Sequence, residues 1–382
     1  LYGDLVAGRW DSSTGEIGWE ILDGVPEDGF ITNSTDGWRG GIGEEGDDVG
    51  LYTSLILDES GNPMVSYYDL TNGALKFIRH DGSSWIEPEV VDDAEGTDAG
   101  RYSEIVRLPS QAPVILYRAV TSAAMDHPGA VGYQVVHLST HLRSAARSGT
   151  TWQVSTPVSE PDAPCWAGGC PEGYVCRADD RLCWPPARED DHPECDGCAD
   201  TQACLSEIDD SGAATGVFGC QDILTLTDVP EGIAVWISAA LNPAGDIEAV
   251  YYDRTGGNLV HLAQQGGLWQ TPVILDGDEE NPDPALHGDR GWYPSLAVDG
   301  SGNRHVVYVD GIAEVFDYMM VDAAGTVALR ELIDDGVDTA NADKDLVGDN
   351  ASVAVDSAGR VRVVYQNSSD GILMMALRDT DG

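Results

Sequence analysis

Short apolar runs alternate with glycine-bearing turns along this chain, and the spacing between them repeats. Five runs open on a serine or a glutamate that precedes a tyrosine by thirteen residues. These opening residues are Ser54, Glu104, Ser238, Ser295 and Ser352, and the tyrosines are Tyr67, Tyr117, Tyr251, Tyr308 and Tyr365. An offset held five times indicates one supersecondary unit that is used repeatedly. The opening residue is called the origin of its repeat below.

Within each unit the pattern predicts four strands. The first is a short apolar run such as Leu55-Ile-Leu57. In four of the units a turn with glycine seven residues past the origin, at Gly61, Gly245, Gly302 or Gly359, leads to a second strand that carries the tyrosine. Third strands begin twenty-one residues past four of the origins, at Leu75, Leu259, Phe316 and Leu373. Runs such as Glu89-Val-Val91 supply the fourth strand. Adjacent apolar positions indicate strands covered on both faces, which is typical of a propeller blade, with a linear solenoid as the alternative.

The predicted fold is therefore all-β: a β-propeller of four-stranded antiparallel blades. Five blades follow from this sequence, or six if residues upstream of Leu1 complete another. The chain opens with a strand pattern, so we expect the N-terminal strand to close the last blade and to remove its unpaired edge. The propeller is predicted to comprise residues 1–158 and 223–382, with residues 159–222 as an insert between blades.

All eight cysteines fall inside the predicted insert: Cys165, Cys170, Cys176, Cys183, Cys195, Cys198, Cys204 and Cys220. Their even number in a Gly/Pro/Asp-rich stretch indicates disulfides formed in an oxidising compartment. Zinc is the rival, because Cys195 and Cys198 have ligand spacing. Eight cysteines allow 105 pairings, so the connectivity stays open.

The charge limits the possible partners. The chain carries 66 acidic and 20 basic residues, for a formal net charge of −46. Nucleic acid is excluded as a partner, because phosphate binding needs clustered Lys and Arg. No apolar run is long enough for a transmembrane segment. We expect a secreted, periplasmic or cell-surface protein.

The repeats resemble those of sialidase-like propellers in secreted bacterial proteins, of the degenerate Asp-box (BNR) type. The resemblance rests on the Leu57-Asp-Glu-Ser-Gly-Asn62 turn, the strand end Tyr67-Tyr-Asp69 and the Gly82-Ser-Ser-Trp85 hairpin. Intact Asp boxes have the pattern Ser-x-Asp-x-Gly-x-x-Trp, which Arg79-His-Asp-Gly-Ser-Ser-Trp85 approximates. The resemblance covers the two propeller parts, leaves the insert unexplained and implies a fold that hosts many functions.

Aspartates recur at two places in the repeat. Three lie six residues before an origin and three lie fifteen residues after one: Asp48, Asp98 and Asp289, then Asp69, Asp253 and Asp310. Both places should lie on one face of the propeller, where carboxylates could hold calcium. The alternative is that they cap turns. The repeated tyrosines are predicted to pack in the core.

No complete catalytic signature stands out. The sequence favours an exported, non-catalytic propeller that acts as a binding or assembly module, with calcium as a possible cofactor and a protein or a surface glycan as the partner. The insert could add a contact within a larger complex. Two alternatives stay open: a carbohydrate-active glycoside hydrolase of sialidase-like propeller type, and a structural subunit of a cell-envelope or extracellular complex.

Overall fold

The structure is a computed structural model of the 382-residue chain. It describes residues 3–27, 29–35, 37–126, 134–188, 191–209, 213–226, 229–278, 287–337 and 344–378. The antiparallel sheets are arranged as a five-blade β-propeller, which confirms the predicted fold class.

The strands follow the repeat. The opening sheet consists of β1 (Leu5–Asp11) and β2 (Glu16–Asp23). Blade 1 consists of β3 (Val49–Leu57), β4 (Pro63–Asp69), β5 (Ala74–Arg79) and β6 (Glu89–Asp92). Blade 2 consists of β7 (Thr97–Arg107), β8 (Pro113–Asp126), β9 (Gln134–Ser148) and β10 (Thr151–Ala163).

The cysteine-rich segment adds two short hairpins: β11 (Val175–Cys176) with β12 (Cys183–Trp184), and β13 (Gln202–Ile208) with β14 (Ala214–Asp222). Blade 3 consists of β15 (Val235–Leu241), β16 (Ile247–Asp253), β17 (Asn258–Gln265), β18 (Leu268–Trp269) and β19 (Val273–Asp276).

Blade 4 consists of β20 (Arg290–Val298), β21 (Arg304–Asp310), β22 (Val315–Val321) and β23 (Val327–Asp334). Blade 5 consists of β24 (Val347–Val355), β25 (Val361–Asn367) and β26 (Ile372–Arg378).

The first strands of consecutive blades lie side by side. β3 packs against β7, β7 against β15, β15 against β20, and β20 against β24. Each blade presents its second and third strands farther from this centre. The apolar clusters therefore form between blades: the cluster of Leu116, Leu142, Tyr251 and Leu262 joins blades 2 and 3.

Four of the five repeated tyrosines join their blade to the sheet before it. Tyr67 donates to Asp23 at 2.7 Å, Tyr117 to Asp92 at 2.7 Å, Tyr308 to Asp276 at 2.5 Å and Tyr365 to Asp334 at 2.8 Å. Each acceptor is the last residue of the final strand in the preceding sheet. All five repeated tyrosines are buried, which confirms their predicted place in the core.

The expectation that the N-terminal strand closes the last blade is wrong for the described residues. β1 pairs with β2 in a sheet of its own, and β24, β25 and β26 form a three-stranded sheet. The opening sheet instead packs on blade 1, where Leu5 and Leu22 contact Val49 and Tyr67. Local packing on the following blade determines where β1 and β2 lie.

The cysteines form four disulfides, which confirms disulfides over zinc. The pairs are Cys165–Cys176, Cys170–Cys183, Cys195–Cys204 and Cys198–Cys220. The segment is attached to blade 2, because Cys183 on β12 pairs with Val136 on β9. Four disulfides fit an extracellular protein.

Within the described ranges, no helix has the length and apolarity that crossing a bilayer requires.

Candidate functional site

The starts of the first strands and the ends of the second strands share one face of the propeller, as predicted. The Leu70 N–H donates to the Asp48 carbonyl at 2.8 Å, and the Gly311 N–H donates to the Asp289 carbonyl at 2.7 Å. This face is called the upper face below. It is where the first strands enter the centre of the propeller.

Four aromatic residues line the centre of the upper face. They lie two residues before the origins of repeats 1 to 4 and form the axial row: Tyr52, Tyr102, Trp236 and Tyr293. Their successive ring centroids lie 4.5, 6.3 and 4.2 Å apart. Asn350 is the equivalent residue of blade 5. The four aromatic side chains are partly exposed.

The backbone of the axial row is left-handed in every blade. The φ angles are +52° at Tyr52, +55° at Tyr102, +50° at Trp236, +49° at Tyr293 and +51° at Asn350. At these positions the register between first and second strands shifts, as between Leu51 and Ser54. A bulge of this kind redirects a side chain, and a bulky residue with positive φ costs about 1–3 kcal/mol. Strain repeated at one level of the fold marks this level as the candidate site.

Two polar clusters flank the axial row, at equivalent places in the repeat. In the first cluster, Asp98 accepts from Tyr68 at 2.6 Å and from Arg101 at 2.9 Å, and the Arg101 guanidinium lies 4.9 Å from the Tyr68 ring centroid. The pair of the Asp98 carboxylate and the Arg101 guanidinium can offer both hydrogen-bond acceptors and donors to a polar ligand.

In the second cluster, Asp289 accepts from Tyr252, from Trp292 at 2.9 Å and from Arg254 at 3.2 Å. Its aromatic rings continue into the axial row, because Tyr252 lies 5.6 Å and Trp292 lies 6.0 Å from Trp236, measured between ring centroids. The surface around Trp236 therefore combines stacked rings with one carboxylate and one guanidinium.

The origins form a second layer, two residues further along the first strands. The Ser54 hydroxyl accepts the Ile105 N–H at 3.2 Å, and the Ser238 and Ser295 hydroxyls accept the N–H groups of Leu296 and Val353 at 3.1 and 3.0 Å. Each bond joins the first strands of neighbouring blades.

Glu104 replaces serine in this layer. Its carboxyl accepts a hydrogen bond of 2.9 Å from the Ser54 hydroxyl and another from the Ala239 backbone. Burial raises the pKa of Glu104 to about 7, because desolvation of the charged form outweighs both hydrogen bonds. A carboxyl that retains a proton near neutral pH therefore lies in the layer next to the aromatic row.

The six aspartates that the sequence indicates for calcium lie on the upper face, and five of their carboxylates accept hydrogen bonds from protein donors. Asp69 accepts from Asn72, and Asp253 accepts the Gly256 N–H at 3.1 Å. Asp310 accepts the N–H groups of Ile312 and Ala313 and lies 2.8 Å from Arg290. Asp98 and Asp289 take part in the clusters above.

Asp48, the sixth, takes part in the upper face through its backbone. Its carbonyl accepts the Leu70 N–H, and its own N–H donates to the Thr71 hydroxyl at 2.8 Å. Among the described residues, no three carboxylates bring their oxygens within 4.8 Å of one another. Turn capping, the alternative role of these aspartates, is observed at Asp69, Asp253 and Asp310. Calcium at the six residues stays a prediction.

The axial row was not among the residues predicted from the sequence. Its signal is present in the sequence, because an aromatic residue lies two positions before four of the five origins. Those residues resemble ordinary strand positions, since positive φ at a bulge has no sequence signature of its own for tyrosine or tryptophan.

A concave surface lies at the perimeter, between the opening sheet and blade 1. It encloses about 520 Å³ and is lined by Trp19, Trp38, Glu27, Glu87 and Pro88 among others. Trp19 and Trp38 are more than half exposed there. This groove is a rival place for stacking a ligand, and variants can separate it from the axial row.

No protein-family model matches the chain, and no curated protein matches it. Solved structures with a similar course of the chain include an α-L-arabinofuranosidase from Lactobacillus brevis, with 9% identity over 87% of this chain and 92% of the other and a TM-score of 0.37. AofleA from Arthrobotrys oligospora has 10% identity over 88% of both chains and a TM-score of 0.33.

The intramolecular trans-sialidase from Ruminococcus gnavus has 10% identity over 87% of this chain and 94% of the other, with a TM-score of 0.30. At such identities and TM-scores, none of these likenesses assigns a ligand, a reaction or a residue role to this chain.

Proposed function

We propose that this protein is an exported carbohydrate-binding propeller whose site is the axial row with the cluster around Asp289. The observation that carries the proposal is the row itself: four partly exposed rings in contact, each on a left-handed backbone. Tyrosine and tryptophan present a flat apolar surface with a polar edge, which suits the apolar face and the hydroxyl rim of a sugar.

The charge of the protein narrows the ligand class. With a net charge of −46, the chain repels polyanionic glycans at low ionic strength. The guanidinium groups near the row, Arg101 and Arg254, are already paired with Asp98 and Asp289. Neutral oligosaccharides are therefore the proposed ligands, held by stacking and by hydrogen bonds to these pairs.

Trp236 is the residue to test, because it contacts Tyr102, Tyr252, Trp292 and Tyr293. The experiment screens the protein on an array of neutral and acidic oligosaccharides and then titrates the strongest ligand by calorimetry. Trp236→Ala should weaken binding at least tenfold. Trp38→Ala, in the perimeter groove, is the matched control and should bind like the wild type.

Two results would overturn this assignment. One is a chain that binds no neutral oligosaccharide at millimolar concentration. The other is a Trp38→Ala variant that loses binding while Trp236→Ala retains it, which would move the site to the perimeter groove.

A glycoside hydrolase is the second candidate, and Glu104 favours it. A partly exposed carboxyl whose pKa is raised to about 7 has the protonation state of a general acid at neutral pH. Nitrophenyl glycosides provide the test, with Glu104→Gln expected to abolish turnover while it retains ligand binding. Turnover that persists in Glu104→Gln would exclude this role for Glu104.

We also propose that the repeats are of the sialidase-like Asp-box type. It is supported by the hairpin of blade 1, where the Asp81 carboxylate accepts the N–H groups of Ser83 and Ser84 at 2.8 and 2.9 Å. Trp85 of the same hairpin packs against the cluster that contains Ile78. The aspartate and the tryptophan of the approximate Asp-box pattern therefore cap the turn and pack inward in this chain.

A further inference from the structure

The first strand of blade 1 leaves apolar side chains exposed that are covered in other blades. Leu55, one residue past its origin, is 60% exposed, whereas the equivalent residues Ile105, Leu296 and Val353 are 2%, 6% and 8% exposed. Those three have a preceding blade with its own first and second strands. The inner part of blade 1 therefore has an apolar surface of the kind that another blade covers.

The third strand of blade 5 shows the matching surface. Leu373 is 78% exposed, whereas the equivalent residues Leu75, Leu259 and Phe316 are fully buried. Two residues further on, Met375 is 70% exposed, and its equivalents Phe77 and Tyr318 are buried. Leu373, Met375 and Leu377 alternate along β26 and so share one face of the strand.

The opening sheet has the position of the outer half of a blade that precedes blade 1. Asp23 at the end of β2 accepts from Tyr67, as Asp92 at the end of β6 accepts from Tyr117. A Cβ on Gly50 would lie 3.1 Å from the Leu5 Cα, as one on Gly100 would lie 2.9 Å from the Leu75 Cα. β1 and β2 are thus the equivalents of β5 and β6.

The residue ahead of β1 has the geometry of a turn between a second and a third strand. Gly3 has a φ of +67°, and its equivalents Gly73 and Gly257 have +59° and +66°. The Gly3 carbonyl accepts the Val49 N–H at 2.7 Å, as the Gly73 and Gly257 carbonyls accept N–H groups of the following blade at 2.9 Å. In blades 1 and 3 this turn is covalently continuous with the second strand.

We propose that a β-hairpin of the same polypeptide, directly ahead of β1, supplies the first and second strands of a sixth blade and covers the exposed faces of β3 and β26. The turn at Gly3 argues for the same polypeptide rather than a partner, because such a turn follows a second strand without a break. The hairpin pairs with the open edge of β1 and packs on Leu55 on one side and on Leu373 on the other.

The repeat predicts the residue type at two positions of this hairpin. Gly50, Gly291 and Gly348 lie 25 residues before the residue that opens the third strand of their blade, and Tyr67, Tyr308 and Tyr365 lie 8 residues before it. Counted from Leu5, the hairpin carries a glycine at the first of these distances and a tyrosine at the second. Packing on Leu373 requires that glycine, as packing on Leu75 leaves no room for a Cβ at Gly100.

The hairpin also completes the site of the proposed function, although the inference does not depend on that function. The hairpin has a residue equivalent to Tyr52, two positions before the place that Ser54 occupies in blade 1. This residue lies between Asn350 and Tyr52 on the upper face, at a left-handed position like the other five. The axial row then has six members around the propeller axis.

The first test sequences the coding region ahead of Leu1, which should encode the glycine and the tyrosine at the two stated distances from Leu5. The second test fuses a copy of residues 48–70 directly ahead of Leu1, which places the copied Gly50 at the required distance. The control is the same fusion with Gly50→Leu in the copy.

The fusion should lower the fluorescence of the apolar dye ANS at least threefold relative to the 382-residue chain and raise the Tm by at least 5 °C, and the control fusion should do neither. Leu373→Asp should leave the Tm of the 382-residue chain nearly unchanged and should lower that of the fusion strongly.

Either of two results overturns the proposal. The first is a coding sequence without the pattern together with a fused copy that proteases remove while ANS binding stays high. The second is a 382-residue chain that forms a dimer by light scattering, with the amides around Leu373 protected from hydrogen exchange, because a second copy would then cover these faces.

Discussion

The hydroxyl of Tyr117 donates a hydrogen bond of 2.7 Å to Asp92, the last residue of the preceding blade. The contact joins the second strand of one blade to the fourth strand of another, and it recurs at Tyr67, Tyr308 and Tyr365. Burial and the neighbouring Asp92 carboxylate both raise the pKa of Tyr117 well above its ordinary value, so the hydroxyl stays a donor throughout the physiological range.

Removal of this hydroxyl should destabilise the propeller. Tyr117→Phe leaves the ring in place but takes one donor from a buried carboxylate, which costs about 1–2 kcal/mol. Tyr251→Phe is the matched control, because Tyr251 has no such carboxylate acceptor among the described residues; its effect should stay below about 0.5 kcal/mol. Urea unfolding measures both, and equal losses would contradict the role given to the Tyr–Asp contact.

Gly100 should tolerate no side chain. A Cβ there would lie 2.9 Å from the Leu75 Cα, and the φ of +117° is unfavourable for alanine. Gly100→Ala should cost more than about 3 kcal/mol from steric overlap and strain together.

Gly96→Ala separates the two causes. Gly96 has a φ of +73°, and a Cβ added there would meet no other atom within 4 Å, so only the strain remains, at about 1 kcal/mol. Similar free energies of unfolding for the two variants would show that blade packing at Gly100 is looser than the structure indicates.

Glu104 should make the stability of the protein pH-dependent. Its folded-state pKa is about 7 and its ordinary value is 4.5, so between these values the folded state binds more protons than the unfolded state. The contribution is fully present below pH 4.5 and is lost as the pH rises through 7, by no more than about 3 kcal/mol.

Glu104→Gln should remove this slope and raise the stability at pH 8. Glu59→Gln, at an exposed position, is the control and should leave the slope unchanged. Denaturation curves between pH 4.5 and 8 give the measurement, and an unchanged slope in Glu104→Gln would assign the pH dependence to other groups.

Reductant and chelator should act differently on the cysteine-rich segment. Because all eight cysteines are in disulfides, EDTA should leave the segment folded, and dithiothreitol should expose residues 165–220 to proteases. The pair Cys198–Cys220 closes the longest of the four loops, so its removal should cost about 3 kcal/mol. Protection from proteases that is lost in EDTA would indicate a metal instead.

Calcium binding on the upper face is tested by titration of the chelator-treated protein. A site formed by Asp48, Asp98, Asp289, Asp69, Asp253 or Asp310 should release heat and raise the Tm at millimolar calcium. The protein donors that already bond five of these carboxylates favour weak binding. No heat and no change in Tm would end the calcium hypothesis.

Much of the fold could be predicted, because the repeat constrains many positions together. The constant distance from each origin to its tyrosine requires the same strand and turn lengths in every unit, and only a ring or a stack of like units satisfies that. The pairing of the opening sheet could not be predicted, since a third-and-fourth-strand pattern fits the end of the last blade and the front of the first equally well.

For the candidate site, the sequence predicted the face that the strand starts and strand ends share, but it did not predict the aromatic residues there. The repeat correctly predicted that the strand starts and strand ends lie on one face. The recurring aspartates were the residues predicted for this face. The residues that the structure brings forward are instead Tyr52, Tyr102, Trp236 and Tyr293, because a bulge turns them toward the axis.

The sequence by itself determined the repeat, the all-β class and the buried tyrosines, and it favoured disulfides over zinc for the cysteines, since these follow from spacing and composition. Only the tertiary structure decided which cysteines pair, where the opening sheet packs and which aromatic rings meet at the axis. The aromatic contacts and the packing of the opening sheet depend on how neighbouring sheets of the propeller meet. The cysteine pairing depends on the folded path of the segment from Cys165 to Cys220, so neither follows from the spacing within one repeat.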